Sequence, residues 1–412
     1  MPNFKKLLHS LPQQVNQKLT LRRRNLKWLS FSLMFRQLAG QLSSFYLPLF
    51  LFKVSANFEI GQGGFTPLQQ GMILLSMFYL FERLVAALFS LVEANLTIKI
   101  GHEQAMLFGT LIYTLFLLTL SYVEKYPLMI FVGAFLSGIQ MVFYWQSYNT
   151  LITRLSFKNS MGKNLSVLRF IKNFISMIGP ALGGLIITFL GFNYLFYVSI
   201  VALIISLIGI IKLDLPPEKD EVNLQEYFSW LKEKRFDRLV LSQAGRYFND
   251  MSLVLWPLYV FLLMGDITKV GYIYSISLFL AMIINLFMGD ILDGKKKSKV
   301  PFFVSGGFLS SLWMVKAFVV NAWGIVLVDS FDKMVGNFHW LFHANIVFKR
   351  GKGKQDFSYF VYRMANRSIA AAVFWTLLLI FFLVVPLEWS GLFALGSAGV
   401  LLSLLVKEGT DE

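Results

Sequence analysis

The chain has no cysteine, which excludes disulfide bonds, thiolate nucleophiles and cysteine-held metals. Charge is scarce as well. Asp, Glu, Lys and Arg make up 15% of the 412 residues while 56% are hydrophobic, a balance that excludes a water-soluble surface. There is no glycine-rich phosphate loop of the Walker type, so ATP-driven pumping has no support. No nucleophile–base set and no cofactor motif occurs, and the chain is not expected to be an enzyme or to hold a cofactor. No cleavable leader is expected either, because the first apolar run begins near Trp28 after a basic segment without a cleavage-like site.

What the sequence has in abundance is apolar length. Runs of about eighteen or more residues, each enough to cross a bilayer as a helix, recur along the whole chain. Twelve spans are read at 28–52, 68–93, 105–122, 127–153, 165–190, 193–211, 237–263, 271–288, 300–319, 321–347, 357–384 and 388–406. The organisation is a basic interfacial segment (1–27), a six-helix bundle (28–211), a polar linker (212–236), a second six-helix bundle (237–406) and a short tail (407–412). The segment KKLLHSLPQQVNQKLTLRRRNLK is of the kind that lies on an anionic membrane surface.

The formal charge of +15 arises from 38 basic against 23 acidic residues. With the N-terminus in the cytoplasm, most of the basic residues fall in the segments on that side, as the positive-inside rule requires. Both termini and the linker are then expected in the cytoplasm of a multi-pass protein of the inner (plasma) membrane. Orientation accounts for the charge, and nucleic acid is not expected as a partner.

The two halves resemble each other. LSFSLMFRQLAGQLSSFYLPLF in span 1 aligns with LVLSQAGRYFNDMSLVLWPLYV in span 7, pairing Ser32 and Arg36 with Ser242 and Arg246. FYWQSYN in span 4 matches FHWLFHAN in span 10, setting Trp145 opposite Trp340. Duplicated six-helix halves are a transporter architecture with the site where the halves meet.

In IGPALGG of span 5, Gly179, Pro180, Gly183 and Gly184 resemble the helix-5 antiporter motif of the major facilitator superfamily. In GDILDGKKK after span 8, Gly289, Asp293 and a lysine run stand in register with that family's loop motif. The equivalent loop after span 2, ANLTIKIGHE, keeps Ala94, Leu96, Lys99 and Gly101 but has Ile98 where the motif has aspartate. The resemblance implies an all-α membrane protein of twelve transmembrane helices in two pseudo-symmetric six-helix bundles, with helices 1, 4, 7 and 10 lining a central cavity. It also implies that the motif residues Gly179, Pro180, Gly183, Gly184, Gly289 and Asp293 serve packing and conformational change.

Polar residues on those four spans form stripes at helical spacing. Span 1 carries Ser32, Arg36, Gly40 and Ser43 with Gln37 and Gln41 beside them; span 7 carries Ser242, Arg246, Asn249 and Asp250. Span 4 offers Ser137, Gln140, Tyr144 and Ser147, next to Trp145, and span 10 offers Asp329, Asp332, Gly336, His339 and His343, next to Trp340. A lipid-facing helix does not carry such a stripe. Arg36 and Arg246 at equivalent depth form a candidate anion site, two planar forks suited to phosphate or carboxylate. Sugar-phosphate antiporters of the resembled family use such a pair. The alternative is that Glu82 neutralises Arg36 and Asp250 neutralises Arg246.

Glu82, Asp250, Asp329 and Asp332 are candidates for proton coupling, since burial and neighbouring cations shift carboxyl groups in opposite directions. Lys333, one turn from Asp329, offers the alternative of structural pairing. His339 and His343 give only two ligands at metal spacing, so substrate hydrogen bonding or pH sensing is the reading and no metal is assigned. Arg169, Lys172, Arg363 and Arg367, where spans 5 and 11 begin, are read as contacts to lipid phosphate or between the halves. The expectation is therefore a monomeric secondary active transporter with alternating access, a proton-coupled transporter or an exchanger, in contact with membrane lipids. Its substrate is expected to be a small organic anion or zwitterionic amphiphile. Export of hydrophobic drugs or lipids, and a non-transporting sensor or scaffold, are the alternatives.

Overall fold

The computed structural model describes residues 13–58, 64–156, 161–215, 222–234, 237–292, 300–351, 356–384 and 388–406. These hold thirteen α-helices, one 3-10 turn and no strand. The first half contains α1 (Gln13–Val54), α2 (Pro67–Ile100), α3 (His102–Ser121), α4 (Met129–Leu155), α5 (Met161–Leu190) and α6 (Phe192–Ile211). A short connector helix follows, α7 (Leu224–Lys234). The second half contains α8 (Arg238–Met264), α9 (Ile267–Leu292), α10 (Val300–Lys316), α11 (Ala322–Arg350), α12 (Asp356–Val384) and α13 (Glu388–Ser403).

Each expected span coincides with one helix. The largest differences lie at the start of α1, which continues back to Gln13 through the basic segment, and at the end of α2, which runs on to Ile100. Arg22 explains the first. Its guanidinium donates to the carbonyls of Leu155 (2.7 Å), Ser156 (2.8 Å) and Arg154, so it satisfies carbonyls that the end of α4 leaves open. Gly101 explains the second: at φ +89° it turns the chain from α2 into α3 within one residue, a conformation that side-chain-bearing residues rarely adopt. At the other end of α2, Thr66 and Gln69 form a reciprocal capping box with Pro67 in the first turn.

Among the described residues, seven helices are long and apolar enough to cross a membrane, and three shorter apolar stretches lie in α9, α10 and α13. The two remaining long helices, α1 and α11, are the carriers of the strongest polar stripes. Large apolar side chains such as Leu88 (73% exposed), Phe189 (77%) and Phe318 (82%) stand outward, a surface suited to lipid rather than water.

Within the first half α1 packs on α5 and α6, and α4 on α2 and α3; the second half repeats this with α8 on α13 and α11 on α9 and α10. The halves meet through α2 with α12 and through α5 with α9, so the second and fifth helices of each half exchange partners. Apolar clusters join the halves at both ends. Near the connector, Tyr148 and Leu151 cluster with Phe348 and Phe360. Toward the opposite end Phe50 and Phe78 share a cluster with Leu255 and Trp375, and Trp375 stacks on Tyr79 at 4.6 Å.

Candidate functional site

Arg36 of α1 is 4% exposed and points into the first half. Its guanidinium donates to the Thr110 hydroxyl of α3 (3.1 Å) and to the Gln140 side-chain oxygen of α4. Its carbon lies over the Tyr144 ring at 3.7 Å and the Tyr113 ring at 4.9 Å. Trp145 meets Tyr144 edge-on at 5.3 Å, and Gln37 is half-buried beside Arg36. No ion pair joins Arg36 to a carboxylate among the described residues. The alternative that Glu82 neutralises it is corrected. Glu82 is instead 3.3 Å from Arg83, its own chain neighbour, and accepts from the Ser137 hydroxyl at 2.5 Å. Arg36 is thus a desolvated cation whose ligands are neutral dipoles and π faces, which solvate the charge without cancelling it.

A cavity of about 270 Å³ lies between the halves. Gln41 and Phe45 of α1 form one side; Asp329, Asp332, Lys333 and Trp340 of α11 form the other. Asn173 of α5 bridges to Asn337 of α11 at 3.1 Å along this wall. The charges are paired. Lys333 bonds Asp329 one turn away, and Asp332 faces the Lys316 ammonium at 3.4 Å. Lys316 is fully buried at the end of α10, with its nitrogen 4.0 Å from the Trp313 ring centre and 4.9 Å from that of Trp256.

Several residues of the expected site lie elsewhere. His339 and His343 were expected to meet substrate, yet their rings turn into the second half. His339 bonds Ser305 (3.1 Å) and Ser403 (2.9 Å) and stacks on Phe302, while His343 bonds Ser242 (2.8 Å). Asn249 likewise accepts from the Trp313 indole at 2.8 Å. Arg246 pairs loosely with Asp250 at 3.8 Å and lies 5.5 Å from the Trp340 ring centre, both contacts within its own half. The hydrogen bonds and ring contacts of Arg36 and Arg246 share no residue, so the two forks do not converge on a common partner here. The reason is geometric: a helix with two polar faces buries one in its own bundle and turns the other to the cavity.

The span-5 glycines allow close approach. A Cβ on Gly179 would meet the Gln41 Cβ at 2.5 Å, and one on Gly183 would meet the Tyr46 ring at 2.5 Å. Tyr46 donates to the Pro180 carbonyl at 2.5 Å, and Gly184 sits against Tyr46 and the start of α9. Small residues thus bring α5 against α1 and α9 together. Gly289 lies within α9, and Asp293 lies outside the described residues.

The sequence profile of the Major Facilitator Superfamily matches residues 29–406. The chain belongs to this superfamily. The solved structure of an auto-inhibited POT family peptide transporter aligns with a TM-score of 0.68 over 92% of this chain and 95% of that one, at 11% identity, a likeness of fold. No curated protein sequence matches the chain.

As a superfamily member the protein is a multi-pass membrane transporter and not an enzyme. Thr110, Tyr113, Arg83 and Lys316 are among the residues of the described polar clusters that escaped the sequence reading. Thr110 and Tyr113 share one face of span 3, three residues apart, and Lys316 is the lone charge closing FLSSLWMVK. A search for isolated polar residues on spans outside the four expected cavity helices would have raised all of them.

Proposed function

We propose that the protein is a secondary active transporter that carries a zwitterionic or anionic organic amphiphile through the site between its halves, exposing it to each side in turn as the halves rock. The observation that carries this reading is the cavity wall of α11, where Asp329, Asp332 and Lys333 present both signs of charge opposite Gln41. A solute with an ammonium and an acidic group replaces such internal pairs one for one, and its apolar part meets Phe45, Tyr274 and Trp340. Arg36 stands five residues before Gln41, about 7.5 Å along the helix. It is the position that receives the solute's anionic group once the halves move. Arg246 serves as its counterpart on α8, and Gln37, Gln140, Tyr144 and Trp145 build the Arg36 pocket.

Asp329 and Asp332 are the proposed proton carriers, because each alternates between its lysine and a proton as the cavity changes. Glu82 and Asp250 hold arginines. Gly179, Pro180, Gly183, Gly184 and Gly289 are the proposed pivots. The two bundles, 28–211 and 237–406, move as bodies about the linker, with both termini in the cytoplasm and the protein in the plasma membrane. The aromatic wall favours one second reading, export of hydrophobic compounds or lipids.

Counterflow in proteoliposomes tests the proposal. Zwitterionic and anionic amphiphiles should exchange and neutral analogues should not. A proton gradient should drive accumulation in the wild type but not in Asp329→Asn/Asp332→Asn, which should still exchange anionic amphiphiles while binding zwitterionic ones more weakly. Accumulation that ignores the gradient would remove the coupling role, and preference for neutral solutes would favour the export reading.

A further inference from the structure

A second cavity, of about 600 Å³, lies at the connector end of the second half, away from the site between the bundles. Its wall comes from α7, the first turns of α8, the end of α11 and the first half of α12. Three arginines line it, Arg350, Arg363 and Arg367, against one carboxylate, Asp237. That carboxylate is already engaged as the N-cap of α8, accepting from the Leu239 amide at 3.3 Å.

The direct contacts that hold the arginines of α12 are to neutral groups. Arg363 donates through Nε to the Gln243 side-chain oxygen at 2.9 Å, and Arg367 lies over the Tyr247 ring at 4.9 Å. Neither forms an ion pair with a carboxylate among the described residues. Among the described residues, the Arg367 Nε and the Asn366 amide nitrogen are buried donors with no hydrogen-bond partner. Buried donors of this kind in a polar recess call for an acceptor. Positions 363, 366 and 367 share one face of α12, and all three side chains line the cavity.

The rest of the wall is apolar. Leu239 and Val240 line it, and Ile369 (45% exposed) extends it to the outer surface of α12. Trp230 of the connector closes another side. An arginine-rich recess that continues into an apolar, outward-facing strip matches a phosphate group carried on an acyl chain.

We propose that this cavity is a phosphate-binding site, seated by Arg363, Arg367 and Asn366, and that its occupant is the headgroup of an anionic phospholipid lying against α12. The site is independent of the transported solute. It ties the connector helix to the second half through Trp230.

The test uses the purified full chain in detergent, titrated with dioctanoyl phosphatidylglycerol, dioctanoyl phosphatidylcholine or inorganic phosphate. Tryptophan fluorescence and melting temperature are read. Phosphatidylglycerol should give a saturable fluorescence change that disappears in Trp230→Phe and a rise in melting temperature. Arg363→Gln/Arg367→Gln should weaken the apparent Kd by about tenfold or more, the loss expected from charge-assisted hydrogen bonds. An equal response to inorganic phosphate supports the phosphate site and assigns it to a free anion instead of a lipid. If the double variant does not fold, Arg363→Lys and Asn366→Ala replace it, and both should still weaken binding. Unchanged affinity in a folded variant set, or an equal response to phosphatidylcholine, would overturn the proposal.

Discussion

The guanidinium carbon of Arg36 lies 3.7 Å above the ring of Tyr144, with Thr110 and Gln140 taking two of its donors. The planar fork fits this nest; an ammonium does not. Arg36→Lys should therefore reduce counterflow nearly as far as Arg36→Gln, although it keeps the charge. Tyr144→Phe keeps the ring and should leave stability close to wild type, whereas Tyr144→Leu should lose about 2 kcal/mol for the desolvated cation–π contact and more for packing. Wild-type counterflow in Arg36→Lys would show that charge alone suffices.

Glu82 and Arg83 are 5% and 6% exposed and 3.3 Å apart. Removing one partner of such a pair leaves a buried charge uncompensated, at about 3–5 kcal/mol. Glu82→Gln should melt markedly earlier than wild type, and Glu82→Gln/Arg83→Met should recover most of the difference. A double variant that melts as early as the single one would mean the pair is not what the single change breaks.

Lys316 is the cation facing Asp332. Lys316→Met should lower the yield of folded protein, and Lys316→Met/Asp332→Asn should restore it. If Asp332 carries the proton, that double variant should exchange solute yet have a weakened response to a proton gradient. A full gradient response from it would assign coupling elsewhere.

At Gly271 of α9 an added Cβ would meet the Pro180 carbonyl and the Tyr46 hydroxyl, the latter at 2.7 Å, whereas at Gly307 of α10 it would meet nothing within 4 Å. Gly271→Ala should cost about 1–3 kcal/mol by overpacking. Gly307→Ala should be neutral, or stabilising by up to about 1 kcal/mol from helix propensity. Thermal melting of the two side by side checks the contact between α5 and α9.

The helices were legible because the bilayer demands long apolar runs, and the halves because Arg36 and Arg246 sit in matching frames. The span-10 stripe is unfit for lipid, and its Asp329, Asp332, His339 and His343 side chains are buried. What it turned toward was not legible. Asp329, Asp332 and Trp340 face the cavity, while His339 and His343 on the same helix face Ser305, Ser403 and Ser242. Spacing along a helix fixes which residues share a face but not which neighbour covers it. Depth along the span likewise did not reveal the partners of Glu82, which are its chain neighbour Arg83 and the Ser137 hydroxyl of α4.

The connector helix α7 touches both halves. Val222 and Tyr227 lie in one apolar cluster with Ala94 of α2 and Phe357, Val361 and Tyr362 of α12, with Leu91 and Trp230 packed against it. Any parting of α2 from α12 at this end must also peel that helix from one of them and wet the surface it covers. The stiffness of the joint is thus set in part by a segment outside the solute path. Softening its grip by Trp230→Ala should ease that parting without altering a residue of the cavity between the bundles.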